Sequence, residues 1–442
     1  MKHANNLTKG KMEYQLIALA LPLILGNILQ QLYHTIDAFM IGRYISHTAF
    51  AAVGVAGSVM NLFIFVIYGG CNGVSIIIAE LYGEKNWDAL RKESFLSFFF
   101  GCVVAIGLSI LGILTLDPLL NIIQTPAEVR GLAHDYLWMI YFGLPAVFCY
   151  NWCSAVLRAA GDTKAPLWIL VIAMVLNFSL DYLFVVDCNI GISGTAVATI
   201  LSQLFASLVC FVYMKFQHAY LLFHYKDIGF DRRLLLKTIE FGIVSALHQS
   251  SLYIGKLFVQ GAVNTAGTEM ISAYTVTMRI EGFTNSFGDS GSTAISVFVA
   301  QNKGAGKNER MKQGFRIGTK MMILLSFCLS FFMVFVTPNA IALLMGEVAD
   351  TLAKNAIAYM RMISLFYVLC YIGNSFVGWY RGLGMVYVPV FGTILHISIR
   401  VIFSYLLIRR IGLVAVALAT GIGWASVVAF QYILYKRTAY YG

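Results

Sequence analysis

Charge is scarce in this sequence. Asp, Glu, Lys and Arg make up 12% of the 442 residues, about half the share of an ordinary soluble domain. No polar stretch is long enough to form a separate soluble domain. Several chemical signatures are also missing. Gly306-Lys307-Asn308 lacks the upstream glycine and the Ser/Thr of a phosphate-binding loop, so ATP hydrolysis is not expected. There is no HExxH, no GxSxG and no dinucleotide fingerprint after a strand, so the chain is not expected to be an enzyme and no cofactor is expected. The eight cysteines have no metal-ligand spacing, and Cys149 and Cys153 read as small packing residues and not as a disulfide. The segment at residues 1–15 is too polar for a signal peptide.

Apolar residues are what the sequence has, at 59%, with a mean hydropathy of +0.76. That excludes soluble and disordered classes and leaves an all-α polytopic membrane protein. Apolar runs predict twelve transmembrane helices, roughly 14–42, 48–82, 93–116, 127–157, 166–186, 190–215, 236–263, 269–302, 314–336, 349–380, 388–408 and 411–435. A polar connection at 216–235 divides them into an N-terminal six-helix lobe (1–215) and a C-terminal one (236–442), with the connection as a cytoplasmic linker. The formal charge of +10 could indicate nucleic acid, but loop position explains it better. Lys and Arg number 22 on the side of both termini and 5 on the other, so both termini are expected in the cytoplasm and no nucleic-acid partner is expected.

The halves resemble each other at an offset near 221. Ala79-Glu80-Leu81-Tyr82-Gly83 recurs as Ala300-Gln301-Asn302-Lys303-Gly304. Arg158-Ala159-Ala160-Gly161 with Pro166 recurs as Arg381-Gly382-Leu383-Gly384 with Pro389. Ala196-Val197-Ala198-Thr199 recurs as Ala417-Leu418-Ala419-Thr420. Six helices per copy give both copies one orientation, as in parallel-repeat transporters, although a duplicated scaffold need not transport.

Ionisable groups at bilayer depth each need a reason, since one costs about 2.5–3.5 kcal/mol even on the lenient scale. Asp37 lies roughly 9 Å below the outer end of the first span. Asn177 and Asp181 share a face of the fifth span, and Thr199 lies at similar depth in the sixth. Four oxygen-bearing side chains at one level predict a proton or small-cation site, which for Na⁺ would be held by Asp37, Asn177, Asp181 and Thr199. In the second half, aligning the eleventh span on the fifth puts His396 opposite Asn177 and Arg400 opposite Asp181, and Lys256 falls near the level of Asp37. Glu281, Asn285, Asp289, Ser292 and Ser296 form a stripe on the eighth span. That face either lines water or pairs its acids with Lys256, Arg279 and Arg400. Pro22 is either a hinge or a static kink, and Gly143-Leu144-Pro145 interrupts the fourth span.

Pro22, Asp37-Ala38-Phe39-Met40-Ile41-Gly42-Arg43, Ala51-Ala52-Val53-Gly54, Leu157-Arg158-Ala159-Ala160-Gly161-Asp162-Thr163 and Phe298-Val299-Ala300-Gln301-Asn302-Lys303-Gly304-Ala305-Gly306 resemble the multidrug and toxic compound extrusion (MATE) family, in its bacterial DNA-damage-inducible-related branch. The resemblance covers nearly the whole chain. It implies two lobes around a V-shaped cavity in a bacterial inner membrane, and antiport of amphipathic, often cationic, organic compounds against H⁺ or Na⁺ by alternating access. It maps the family's cation site onto Asp37, Asn177, Asp181 and Thr199, with Tyr33 and Asn151 around it. The helix-7 carboxylate of some members has no match; Gln249 lies near that place. Gln249, Lys256, Arg279, Glu281, Asp289, His396 and Arg400 are the residues expected at a substrate cavity, in a protein expected to be monomeric. The rival reading is a flippase for lipid-linked oligosaccharide or peptidoglycan precursors, which resembles the same superfamily.

Overall fold

In the computed structural model, which describes residues 6–345 and 350–440, all regular secondary structure is helical. The first half contains α1 (Met12–Tyr44), α2 (His47–Glu84), α3 (Trp87–Leu114), a short α4 (Leu116–Ile122), α5 (Ala127–Phe142), α6 (Leu144–Ala159), α7 (Lys164–Tyr182) and α8 (Ile192–Gln217). The second contains α9 (Arg232–Asn264), α10 (Thr268–Gly304), α11 (Asn308–Met345), α12 (Asp350–Leu365), α13 (Tyr367–Gly382), α14 (Tyr387–Ile411) and α15 (Val414–Tyr440). Eight of these are long and apolar enough to cross a membrane, and the pairs α5/α6 and α12/α13, bent by 48° and 51°, make two more. At 33 and 37 residues α9 and α10 are long enough to complete the expected twelve, but they are less apolar than those eight.

The bend between α5 and α6 falls at Gly143, ahead of Pro145, which has no amide hydrogen to continue the ladder. The bend at Phe366 has no glycine or proline to announce it. There Ser330 of α11 donates to the Ser364 carbonyl (2.7 Å), satisfying a backbone group at the break. Pro22, by contrast, sits buried within a continuous α1.

The chain groups into two compact units that do not follow the halves of the sequence. Residues 6–9 and 21–249 belong to the first unit, and residues 10–20 and those from 250 onward to the second. The changeovers therefore fall inside α1, beside Pro22, and inside α9, between Gln249 and Ser250. In the first unit α9 lies against α2 so closely that a Cβ on Gly73 would come 2.2 Å from the Phe241 carbonyl oxygen. In the second, a Cβ on Gly378 of α13 would come 2.5 Å from the Ser292 carbonyl oxygen of α10. Bare glycine lets these helix backbones touch, which is how helices pack where lipid offers no hydrophobic drive.

The connection between α8 and α9 is fastened along the first unit. Leu221 is fully buried, Tyr220 packs on Tyr82 and Trp87, and Phe223 on Phe95 and Phe98. Arg91 Nε donates to Asp227 Oδ2 (3.1 Å), Lys237 to Glu80 (2.9 Å) and Thr238 to the buried Glu93 (2.8 Å). Burial works to raise the Asp227 carboxyl, but the His224 amide and Arg91 hold it below the usual carboxylate range. In the α6–α7 loop, Asp162 accepts from the Ala165 amide (3.1 Å), Tyr213 (2.8 Å) and His218 Nε2 (3.1 Å). Burial alone would raise its carboxyl too; the bonds from His218, Tyr213 and Ala165 bring it below the usual range.

Candidate functional site

The four residues grouped by depth meet in the first unit. Asn177 (1% exposed) and Asp181 (0%) stand one turn apart on α7, a spacing that puts both on one face. With its amide oriented to satisfy its surroundings, Asn177 Nδ2 donates to Asp37 Oδ1 (3.0 Å) and Asp181 Oδ2 (3.2 Å), and its Oδ1 accepts from the Tyr33 hydroxyl (3.0 Å). Tyr33 Oη is also 3.2 Å from Thr199 Oγ1 of α8. One phenol proton serves two acceptors, so this contact is able to reverse its donor. Both carboxyl groups are thus gathered on the one Asn177 amide, close enough that each acts electrostatically on the other.

Asp181 Oδ1 is buried without a hydrogen-bond partner. That orphaned oxygen, with those of Asp37, Thr199 and Tyr33, makes an oxygen donor set suited to a proton or a hard monovalent cation, while Asn177 turns its Nδ2 to the two carboxyl groups. Among the described residues no group of three or more His, Cys, Asp or Glu could hold a metal ion. Asn151 contributes differently: half-buried on α6, it donates to the Val147 carbonyl of its own helix (2.8 Å). Sequence reasoning missed Tyr136 of α5, buried and within electrostatic reach of both Asp37 and Asp181.

The second unit gathers a different set. Glu281 of α10, buried, accepts from Tyr359 of α12 (2.5 Å). Arg400 of α14, also buried, donates to Tyr274 (3.2 Å) and lies within electrostatic reach of Tyr359 and Glu281. Lys256 of α9 is within reach of Asp289, Arg400 and Glu281, and Asp289 also faces Arg381. Among the described residues none of Lys256, Arg279, Glu281, Asp289 and Arg400 has an ion-pair partner within 4 Å. Close salt bridges therefore do not account for the two acids. His396 stacks on Trp424 with ring planes 4° apart and bonds the Thr420 backbone, which makes it part of the packing of α14 on α15. Arg279 is exposed and stands apart from the cluster; Gln249 is half-buried on α9, in the first unit.

The MatE family profile matches this chain twice, over residues 22–183 and 244–406. The chain belongs to the MatE family. Among curated relatives of this MatE protein, the probable multidrug resistance protein YpnP of Bacillus subtilis (strain 168) is 28% identical, over 98% of this chain and 97% of that protein. YoeA of the same organism, also a probable multidrug resistance protein, is 28% identical over 67% of this chain and 66% of its own length. A solved MATE-family multidrug resistance transporter of the MOP superfamily, in an outward-facing conformation, shares the fold at a TM-score of 0.92, with 22% identity, 99% of this chain and 98% of that one covered. The MatE protein is thus a multi-pass membrane protein of two related halves.

The double match also corrects the register of the repeat. The matched copies end at 183 and 406, and α7 and α14 start at Lys164 and Tyr387 with Pro166 and Pro389 in their first turns. Keeping the prolines in register places Arg400, and not His396, opposite Asn177, and Ser404 opposite Asp181. The sequence alignment had slipped by one helical turn, which preserves the apolar pattern and so goes unnoticed in it. Tyr359 then falls opposite Tyr136.

Proposed function

We propose that this protein is a secondary active antiporter that exports amphipathic, often cationic, organic compounds in exchange for H⁺ or Na⁺ by alternating access. It would work in a bacterial cytoplasmic membrane with both termini inside. The observation that carries this reading is the hydrogen-bonded cluster Asp37–Asn177–Asp181, with Tyr33 and Thr199 at its edge. Two carboxyl groups this close cannot both stay charged without a proton or cation between them, so loading and unloading the site changes its charge by one. An ion moves a conformational equilibrium only as far as its affinities for the two states differ. A buried pair with one orphaned oxygen is the sort of site where that difference is large, because solvent cannot compensate for a missing ion. Pro22, beside the changeover inside α1, supports a hinge on the helix that carries Asp37. The relatives named as multidrug resistance proteins support drug-like cargo and favour the exporter over the flippase.

The test is transport by the full chain in sealed lipid vesicles, with pH and Na⁺ gradients imposed one at a time. One of the two is expected to drive a fluorescent amphipathic cation against its own gradient. Downhill movement of the dye that responds to neither gradient would overturn the antiport reading.

A further inference from the structure

The repeat places a site of opposite charge in the second unit. Where the first unit has Asn177 between two carboxyl groups, the second has the guanidinium of Arg400, 8% exposed, between the phenols of Tyr274 and Tyr359. Where the first has Asp181, the second has Ser404, fully buried. Near the level of Asp37 the second has Lys256. An added Cβ on Gly255 would meet Ile397 at 2.6 Å, and one on Gly261 would meet the Tyr405 hydroxyl at 2.7 Å. Lys256 therefore runs beside this stretch of α14, and it is exposed although it lies well inside a 33-residue helix. Two acids share the neighbourhood, Glu281 and Asp289, against three cations, Lys256, Arg400 and Arg381.

Two donors here lack partners. Arg400 Nε and Ser404 Oγ are both buried without a hydrogen bond, one turn apart on the same face of α14. A guanidinium at bilayer depth with an unused N–H is costly unless something supplies an acceptor. Glu281 does so only in part, since its Oε1 is bonded to Tyr359 and it lies outside ion-pair distance of Arg400. An oxyanion suits these donors in chemistry: it offers several acceptors to a planar fork, a hydroxyl and an ammonium.

We propose that the second unit binds an oxyanion, a phosphate or carboxylate carried by the exported compound, on Arg400, Ser404 and Lys256. This rests on the export reading for its cargo and narrows that cargo to amphipathic molecules bearing such a group. Glu281 is then the resident counter-ion that the cargo competes with.

Equilibrium binding to the purified full chain in lipid nanodiscs tests this with two pairs of fluorescent probes. Riboflavin 5′-phosphate and riboflavin differ by one phosphate; rhodamine B and its ethyl ester differ by one free carboxylate. The anionic member of at least one pair is expected to bind about tenfold more tightly or better, and the pair that discriminates identifies the group. Lys256→Gln and Ser404→Asp should each cut that preference to about threefold or less, while Glu281→Gln should enlarge it. Ser404→Asp keeps the test sound if other variants fold poorly, because it supplies Arg400 with a carboxylate one turn away. Equal affinity within both pairs for the unmodified protein overturns the proposal, as does discrimination that survives both Lys256→Gln and Ser404→Asp. Binding needs no ion gradient. Discrimination without gradient-driven transport would therefore sink the antiport reading alone, and gradient-driven transport without discrimination would sink this one alone.

Discussion

At one place in the repeat, the first unit holds two carboxyl groups around an amide, and the second holds a guanidinium among phenols with a lysine alongside. The backbone frames correspond, down to the proline in the first turn of α7 and α14 and to Tyr136 and Tyr359 facing each cluster. What differs is whether the charge is negotiable. A carboxyl pair can take up or release a proton near neutrality when its surroundings favour it, whereas arginine stays charged throughout the physiological range. Duplication has thus produced one titratable site and one fixed site on the same scaffold. A transporter needs both kinds of behaviour, one to follow the ion and one to hold its cargo without exchanging protons.

Exchanging the chemistry between the copies should break this difference most severely. Asn177→Arg installs the second unit's residue between Asp37 and Asp181 and puts a permanent positive charge where the proton or cation would load. Asp37→Asn fixes the neutral state by the opposite route. Each is expected to lower gradient-driven export about a hundredfold, the cost of losing a few kcal/mol of differential ion binding, at normal expression in vesicles. Uphill export at the unmodified rate by Asp37→Asn would place the coupling site elsewhere. Asp181→Asn leaves Asp37 titratable, so its loss should be milder, about tenfold, with a displaced pH profile of the transport rate. Tyr33→Phe removes the hydroxyl that meets Asn177 and Thr199 at the rim of the cluster, contacts worth about 1 kcal/mol each, and should alter apparent ion affinity about tenfold or less.

The smallest effect is on stability. Asp162→Asn should cost about 1–2 kcal/mol near neutrality, read as a lower melting temperature in detergent. Its carboxyl is held below the usual range, so its contribution is present above the ordinary carboxylate pKa. That contribution disappears as pH falls through the depressed value, and the two proteins should then melt together. A gap that widens in acid would mean that the bonds from Tyr213 and His218 do not favour the charged form.

Much of the first site was legible beforehand, because an Asp or Asn at bilayer depth is rare enough to be counted and placed by helical rise alone. Tyr136 was not, since a tyrosine in a membrane helix is ordinary until α5 is seen to bring it to the acids. The register of α14 was misread by a turn because its apolar residues recur with the helical period, and only the prolines fix the phase. The bend at Phe366 left no Gly or Pro to read, and its satisfying group, Ser330, lies on another helix. The 216–235 connection read as a plain linker because its charges are many, yet Tyr220, Leu221 and Phe223 among them seat it on the first unit.

The changeovers inside α1 and α9 have a consequence for the order in which the chain is made. Residues 10–20 leave the ribosome well before residue 250, where the rest of their unit starts. The first unit, for its part, is incomplete until residue 249 has been synthesised, well past the end of its own repeat. Domains otherwise tend to fold from the N-terminus as they emerge. Here residues 10–20 wait for neighbours made much later, and neither unit can be finished before the other has begun.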